Sequence, residues 1–407
     1  MPLAPSTGPL RGIRVVDMTW AWAGPHGTQL LALLGAEVIK IESRTRLDHS
    51  RLRSLMGGAM QGGPDESPSF NDLNLSKLSL TLDLQRHEAR DLLRRLVSVS
   101  DVLAQNMRPG VLERLGLAYE ELIHHKPDLI MLSSSAVGST GPERGYGGYA
   151  PTFASLSGIA DLTGYPGEPP IPLSGSVDLR VGTTGALAVV AALYRRGRTG
   201  EGQHIDLSST EVMSSMMGEA FLEHSMNGRV PGRHGNRHDV MAPHGCYACA
   251  GDDQWVSIAV GSDDEWHALK AAIGDAALAD ERFAGPAERW QNQDSLDPII
   301  ESWTRTRHPG QVVDLLQAAG VPAMRVHVDD SIASDPHVAS RGFIEMVDHP
   351  VVGRRRVVGT PWRFGSGGVG IRRSAPLLGE HNEHVLGGIL GLSREEIERL
   401  TEQGVVH

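Results

Sequence analysis

Short apolar runs alternate with helical spacings along the first two hundred residues. Residues 12–18, GIRVVDM, are an apolar run of strand length. Gly24–Pro25 interrupt it, and HGTQLLALLGA then spaces its leucines as a helix does, ending at Gly35. AEVIKIE follows as a second strand. Strand, turn, helix and strand within residues 12–42 make a βαβ unit, which sets its two strands parallel. The pattern recurs: a strand over Leu78–Leu84, an Arg-rich amphipathic helix over His87–Ser98, and a strand at DVLAQN (101–106). A helical turn at Pro109–Leu115 and a buried strand over Asp128–Ser134 follow. Such alternation predicts a doubly wound, Rossmann-like α/β domain.

Beyond Pro172 the chain reads as a turn, a long helix from about Leu179 to Arg196, a strand at HIDLS and a helix from about Glu211 to Asn227. Residues 228–245, GRVPGRHGNRHDVMAPHG, have few apolar positions and mark a linker or functional loop. The style then changes to short strands and helices over 246–325, predicting a smaller α+β domain. Residues 340–407 return to strand segments such as VVGRRRVVG and close with the surface helix SREEIERLTEQ.

Composition narrows the function classes. A length of 407 residues suits two or three domains. The net charge of −11 argues against a nucleic-acid footprint, which needs a basic face. The opening MPLAPSTGPL lacks the basic and apolar regions of a signal peptide. No uninterrupted apolar run reaches the ~18 residues of a membrane span. A cytoplasmic protein without membrane attachment is expected. Cys246 and Cys249 have C-x-x-C spacing, but the segment GCYACAGDDQWVSIAV reads as two strands around a Gly251–Asp252–Asp253 turn. Residues three apart on a strand point to opposite faces, which disfavours a redox pair or zinc site.

The phosphate loop G-x-x-x-x-G-K-[ST], H-E-x-x-H and G-x-S-x-G are all missing, and the first turn TWAWAGPHGT is not G-x-G-x-x-G. ATP hydrolysis, zinc proteolysis and hydride transfer lose ground accordingly. Asp178 stands out instead, in SGSVDLRVGTTG at a helix start with Gly175, Gly182 and Gly185 around it. Free N–H groups and the positive dipole end would keep such a carboxylate ionised, and an ionised Asp can attack a thioester carbonyl. A plain helix N-cap explains the same residue. Arg108 and Arg114 suit either a phosphate clamp or a solvated helix face. Trp20 and Trp22 flank the first turn as core or as the wall of a ligand pocket. The pairs His234/His238 and His381/His384 sit in Gly- or Asn-broken runs and read as surface or loop residues, not metal ligands.

Six segments resemble the class III coenzyme A (CoA) transferases, the group of formyl-CoA transferase and crotonobetaine CoA-transferase. They are LRGIRVVDMTWAWAGPHGTQLLALLGAEVIKIE, LNLSKLSLTLDL, DVLAQNMRPGVLERLGL, the Asp178 segment, RTGEGQHIDLS and APLLGEHNEHVL. The resemblance implies that Asp178 is the catalytic nucleophile. It implies CoA contacts at Trp22 and Ala23, at Leu82, Asp83, Leu84 and Gln85, at Asn106, Met107 and Arg108, and at Arg114. The acyl pocket would include Trp20, Gly148, Tyr149 and Ala150. A CoA-transferase moving CoA from an acyl-CoA to a carboxylic acid is expected, with acyl-CoA as substrate and no metal or tightly bound cofactor.

The resemblance also implies an interlocked homodimer. Its large domain would combine residues 1–205 with 329–407, with a helix and linker at 206–245 and the small domain at 246–328. Two departures bear on substrate. Trp22 stands where formyl-CoA transferase has Gln, and Ala150 where many relatives have an acidic residue after the Tyr. A bulkier or more apolar acyl group than formate or oxalate is expected. The related 2-methylacyl-CoA racemases use a His-Asp pair where this chain has Tyr149–Ala150. A catalytically inactive acyl-CoA-binding homologue is the remaining alternative.

Overall fold

The computed structural model describes residues 7–52, 62–328 and 331–407, which fall into two compact units. The first unit takes the chain up to Ala160, Pro172–Arg229 and Gly342–His407. Its centre is a sheet of β1 (Arg14–Met18), β2 (Glu37–Glu42), β3 (Leu78–Thr81), β4 (Val102–Gln105), β5 (Ile130–Ser135) and β6 (Gln203–Ser208). The spatial order is β3-β2-β1-β4-β5-β6, and every neighbouring pair is parallel. Val15 of β1 lies opposite Val38 of β2 and Val102 of β4, which fixes the central register.

Alternation of side chains along these strands builds two cores. Val15, Val38, Val102, Ala104, Ile130 and Leu132 face one side, against α1 (Ala23–Leu33). Val16, Ile39, Ile41, Leu80, Leu103 and Met131 face the other, against α2 (His87–Ser98) and Val385, Leu386, Leu400, Val405 and Val406 near the C-terminus. Both faces are covered, so the strands read as continuous apolar runs.

Two further helices shape the site. α3 (Ala150–Ser157) begins after the Gly147–Gly148 segment. α4 (Gly175–Thr199) lends Ala186, Val189 and Ala192 to the core shared with α1. α4 starts four residues earlier than expected, and β3 ends at Thr81, where Leu82 N–H turns to the Glu42 carbonyl at 2.7 Å. The helix expected over 211–227 is broken by a tighter turn at Ser215–Met217 before α5 (Gly218–Asn227). α4 alone among the described helices is long and apolar enough to cross a membrane by length and composition. Its apolarity has a local cause, since one face is core, while Leu187 and Tyr194 on the rest are about two-thirds exposed.

The second unit takes Asp161–Ile171 and Val230–Arg341. β7 (His244–Ala248), β8 (Trp255–Ala259) and β9 (Ala323–Arg325) form an antiparallel sheet. α6 (Asp263–Ile273), α7 (Gln293–Thr304) and α8 (Pro309–Ala318) close its core around Trp266, Phe283 and Ile300. This unit extends beyond the expected 246–328. Arg233 pairs with Asp161 at 2.8 Å and Gly235 N–H donates to the Gly164 carbonyl, so most of the expected 228–245 linker belongs to it. Cys246 is exposed on β7 and Cys249 is buried in the core; both are free thiols.

Candidate active site

The strand order reverses between β1 and β4: one neighbour of β1 follows in sequence through α1, the other only after β3. Crevices at the carboxyl ends of strands at such a switch point are where open α/β sheets bind ligands. The turn leaving β1, Thr19–Trp22, lies there. It is held from below by buried charges. Asp17 Oδ1 accepts from Thr19 N–H at 2.9 Å, and Lys40 Nζ donates to the Thr19 carbonyl at 2.8 Å. Asp48 Oδ1 accepts from Ala21 N–H at 3.0 Å, while Asn106 accepts from the N–H and donates to the carbonyl of Trp20, each at 2.8 Å. Lys77 Nζ lies 2.9 Å from Asp17 Oδ2 and from the Pro25 carbonyl, tying the turn to α1. These clamps hold Ala21 at φ +67°, a left-handed conformation a residue with a Cβ rarely adopts.

The charges offset one another. Burial pushes the Asp17 carboxyl up, but Lys77, Lys40 and hydrogen bonds from Thr19 and Thr28 outweigh it and hold it below its ordinary value. Asp48 is likewise held low, against burial, by Lys40 and Ser50. Burial draws the Lys77 ammonium down to about 8 despite Asp17.

Beside the turn is a cleft of about 210 Å³, lined by Trp20, Arg46, Met107 and the run Leu82, Asp83, Leu84 and Gln85. The Arg46 guanidinium lies 4.6 Å from the Trp20 ring, within cation–π range. Arg46 carried no sequence signal, since only the fold brings it from beyond β2 to the ring.

Asp178 is the fourth residue of α4. Ser174 takes the N-cap position, so the reading of Asp178 as an N-cap is overturned. Its carboxyl has no hydrogen bond or ion pair among the described residues, and burial alone pushes it up to about 6. Burial without a counter-charge sets the direction of this shift, and a carboxyl at about 6 is still ionised at neutral pH.

The face carrying Asp178 packs on α1 through glycines. A Cβ on Gly182 would lie 2.4 Å from the Ala23 carbonyl oxygen, and one on Gly27 would lie 2.7 Å from that of Gly182. Only glycine at both places lets the helices approach so closely. The Trp22 ring lies against Gly175, 3.1 Å from where a Cβ would be.

The structure thus sorts the expected residues. Trp20 joins Leu82, Asp83, Leu84, Gln85 and Met107 at the cleft, while Trp22 and Ala23 lie along α4, against Gly175 and Gly182 respectively. Asn106 is occupied in holding Trp20. Arg114 folds back toward Gly110, and Arg108 lies against Gly147, whose missing Cβ would be 2.5 Å from its guanidinium; neither lines the cleft. Tyr149 is exposed, Ala150 is buried among Ala154, Val177 and Val181, and Gly148 lies tight against Thr152. His381 accepts from Ser79 N–H and serves the sheet edge.

His26, one helical turn after Trp22, was missed by sequence reasoning. Its ring Cδ2 lies 3.1 Å from where a Gly182 Cβ would be, and its Nε2 lies 3.4 Å from Thr183 Oγ1. The available signal was its i,i+4 spacing from Trp22 on one helix face.

Comparison with known proteins places this geometry in a family. Residues 10–382 match the model of CoA-transferase family III. The succinyl-CoA–D-citramalate CoA-transferase of Chloroflexus aurantiacus is 34% identical over 402 residues, 98% of each chain. The acetyl-CoA:oxalate CoA-transferase of Acetobacter aceti is 36% identical over 340 residues, 83% of this chain and 85% of that one. The crystal structure of a CaiB/BaiF family protein from Brucella suis superposes with a TM-score of 0.83 at 32% identity, covering 96% of this chain and 99% of its own. The chain belongs to CoA-transferase family III, and is a CoA-transferase acting on acyl-CoA and carboxylic acids.

Proposed function

We propose that Asp178 is the nucleophile that carries acyl and CoA groups between thioester and acid. The observation that carries this reading is a half-buried carboxyl without a partner, on a helix face that glycines press against the turn leaving β1. With its pKa at about 6 it is ionised at neutral pH, yet no cation among the described residues quenches it.

One carboxylate oxygen attacks the carbonyl carbon of the donor thioester, the C–S bond breaks, and CoA thiolate leaves with the electron pair. The thiolate then attacks the Asp178 carbonyl of the mixed anhydride, and the donor acid leaves as its carboxylate. The acceptor carboxylate repeats both steps in reverse. One thioester replaces another, so the exchange needs no net proton and no energy source. The CoA moiety is assigned to the cleft of Trp20, Leu82–Gln85 and Met107, with Arg46, Arg108 and Arg114 as nearby cations. Trp22 and the apolar surroundings of Ala150 support an acyl group bulkier or more apolar than formate or oxalate. The named relatives use succinyl-CoA with D-citramalate and acetyl-CoA with oxalate, which makes succinyl-CoA and acetyl-CoA the first donors to try.

We assign the assembly as an interlocked homodimer. Exposed apolar residues support it: Leu187 and Tyr194 on α4, and Phe221, Leu222 and Met226 on α5, which buries none of its residues. Sedimentation should give twice the chain mass; a monomer refutes the assignment.

Incubation with succinyl-CoA or acetyl-CoA and a panel of acids, followed by hydroxylamine trapping and mass spectrometry, should locate an acyl or CoA adduct on Asp178. Asp178→Ala should abolish both adduct and transfer, by about a thousandfold or more. Transfer left intact in that variant overturns the reading. Oxalate as the preferred acceptor would overturn the substrate assignment alone.

A further inference from the structure

A second cavity, of about 440 Å³, lies within the first unit and shares no lining residue with the cleft beside Trp20. Its volume falls inside the ~300–1,000 Å³ range of small-molecule sites. One wall is the hairpin of β10 (Ile344–His349) and β11 (Gly353–Val358), in which Val347 lies opposite Arg355. Strand alternation puts Val347, His349, Arg355 and Val357 on one face, and all four line the cavity. The other wall is the short helix Pro68–Leu73, whose Pro68, Asn71 and Asp72 are spaced i, i+3, i+4 and line the cavity together. Leu75, Val352 and Ala375 add apolar lining.

The two walls carry opposite charges that do not pair. Arg355, on the hairpin, donates to the Arg354 carbonyl at 2.9 Å and has no carboxylate partner among the described residues. Asp72, on the helix, has no hydrogen bond or ion pair among the described residues. Partial withdrawal from water pushes its carboxyl above the ordinary value, with no cation acting against it. Glu66 adds a second carboxylate beside the helix, its Oε1 accepting from Gly63 N–H at 3.1 Å. Each wall also holds a buried polar atom without a partner among the described residues. His349 Nδ1 accepts from the N–H groups of Val351 and Val352 at 3.2 and 3.3 Å, so the ring hydrogen is on Nε2, and that donor is unmatched. Asn71 donates through Nδ2 to the Asp65 carbonyl at 3.2 Å, which leaves Oδ1 as an unmatched acceptor. Buried polar atoms are normally satisfied. The hairpin wall lacks an anion and the helix wall lacks a cation, around an otherwise apolar cavity.

We propose that this cavity binds a free α-amino acid with a large apolar side chain. Its carboxylate pairs with the Arg355 guanidinium on the hairpin wall and its ammonium with the Asp72 carboxylate on the helix wall. Its side chain lies against Val347, Val352, Val357 and Leu75. His349 and Asn71 stand on the matching walls as a further donor and a further acceptor. A simple acid would leave Asp72 unpaired and a simple amine would leave Arg355 unpaired; a zwitterion answers both. The site is separate from the cleft beside Trp20, and the proposal does not rest on the reading of Asp178.

Isothermal titration calorimetry of the whole protein with leucine and phenylalanine tests this, each set against its two one-charge analogues. For leucine these are isocaproate and isoamylamine; for phenylalanine they are hydrocinnamate and phenethylamine. At least one amino acid should bind about tenfold or more tightly than both of its analogues, since losing a hydrogen bond to a charged group costs at least that. Asp72→Asn and Arg355→Met should each weaken that amino acid by about tenfold or more, and Arg355→Lys should keep part of the affinity. An unchanged far-ultraviolet circular dichroism spectrum checks that the variants are folded. Should a variant fail to fold, the analogue series in the wild type still decides. The inference is overturned if neither amino acid binds more tightly than its analogues, or if Asp72→Asn or Arg355→Met binds as the wild type does.

Discussion

Asp17 and Asp178 are carboxylates withdrawn from water in the same unit, and they are displaced in opposite directions. Asp17 lies under the β1 turn with Lys77, Thr19 and Thr28 against it, and is held below the ordinary carboxylate range. Asp178 has burial and nothing to offset it, and rises to about 6. Burial raises both; the partners decide the sign. The paired carboxylate holds a backbone turn in place and is spent on doing so. The unpaired one is left with its lone pairs for chemistry. Within one fold, the count of partners around a buried acid separates a structural role from a reactive one.

The largest effect expected from breaking this contrast is on the paired side. Lys77→Met keeps the length of the side chain but strands the Asp17 charge, which should destabilise the protein by about 3–5 kcal/mol. Asp17→Asn combined with Lys77→Met removes both charges and should recover part of that loss. Denaturant unfolding of the single and double variants measures it. Equal stability of wild type and Lys77→Met would show that Asp17 is not sustained by its lysine.

Much of this was legible in the sequence because apolar spacing records which residues face the core. The short runs RVVDM, EVIKIE and VLAQ became the adjacent parallel strands β1, β2 and β4 at the places expected. Asp178 was legible as a residue but not as an environment. Its helix starts at Gly175, upstream of the apolar pattern, so position could not separate a cap from a first-turn acid. The different positions of Trp20 and Trp22 were not legible at all. Two residues apart, one lines the cleft and the other crosses to α4, because Ala21 between them is left-handed. Lys77 and Lys40 carried no signal of their role in the sequence; only the sheet buries them beside Asp17 and Asp48. His26 was hidden in the same way, since its neighbours come from a helix 150 positions onward.

On the unpaired side, Asp178→Asn should stabilise the protein while removing activity. The folded carboxyl, at about 6 against an ordinary 3.8, holds its proton more tightly than the unfolded one. Between those values the folded state binds more protons, so stability falls as pH rises through the window. Above pH 7 the wild type carries the full cost of an ionised, partnerless carboxylate, and Asn carries none. The variant should therefore be more stable by about 1–2 kcal/mol at pH 8, allowing for partial exposure, with the gap closing below about pH 4. Thermal unfolding against pH measures this, and in the wild type kcat/KM should climb through about pH 6 as the nucleophile ionises. A gap of the opposite sign would mean that a cation reaches Asp178 in solution.

The smallest effect sits at the joint between the two regions. Ala21 at φ +67° carries about 1 kcal/mol of strain that glycine would not. Glycine in turn loses more backbone freedom on folding, by roughly 0.5–1 kcal/mol. The two nearly cancel, so Ala21→Gly should change stability by no more than about 0.5 kcal/mol. The clamps on this turn act through Thr19, Trp20 and the Ala21 N–H, none of which needs the Ala21 side chain. Transfer rates should then stay within about twofold of the wild type. A tenfold loss of kcat at unchanged stability would show instead that the Cβ of Ala21 is what keeps Trp22 aimed at α4. The paired charges beneath the turn would then set the backbone's path without being enough to hold the ring beside Asp178.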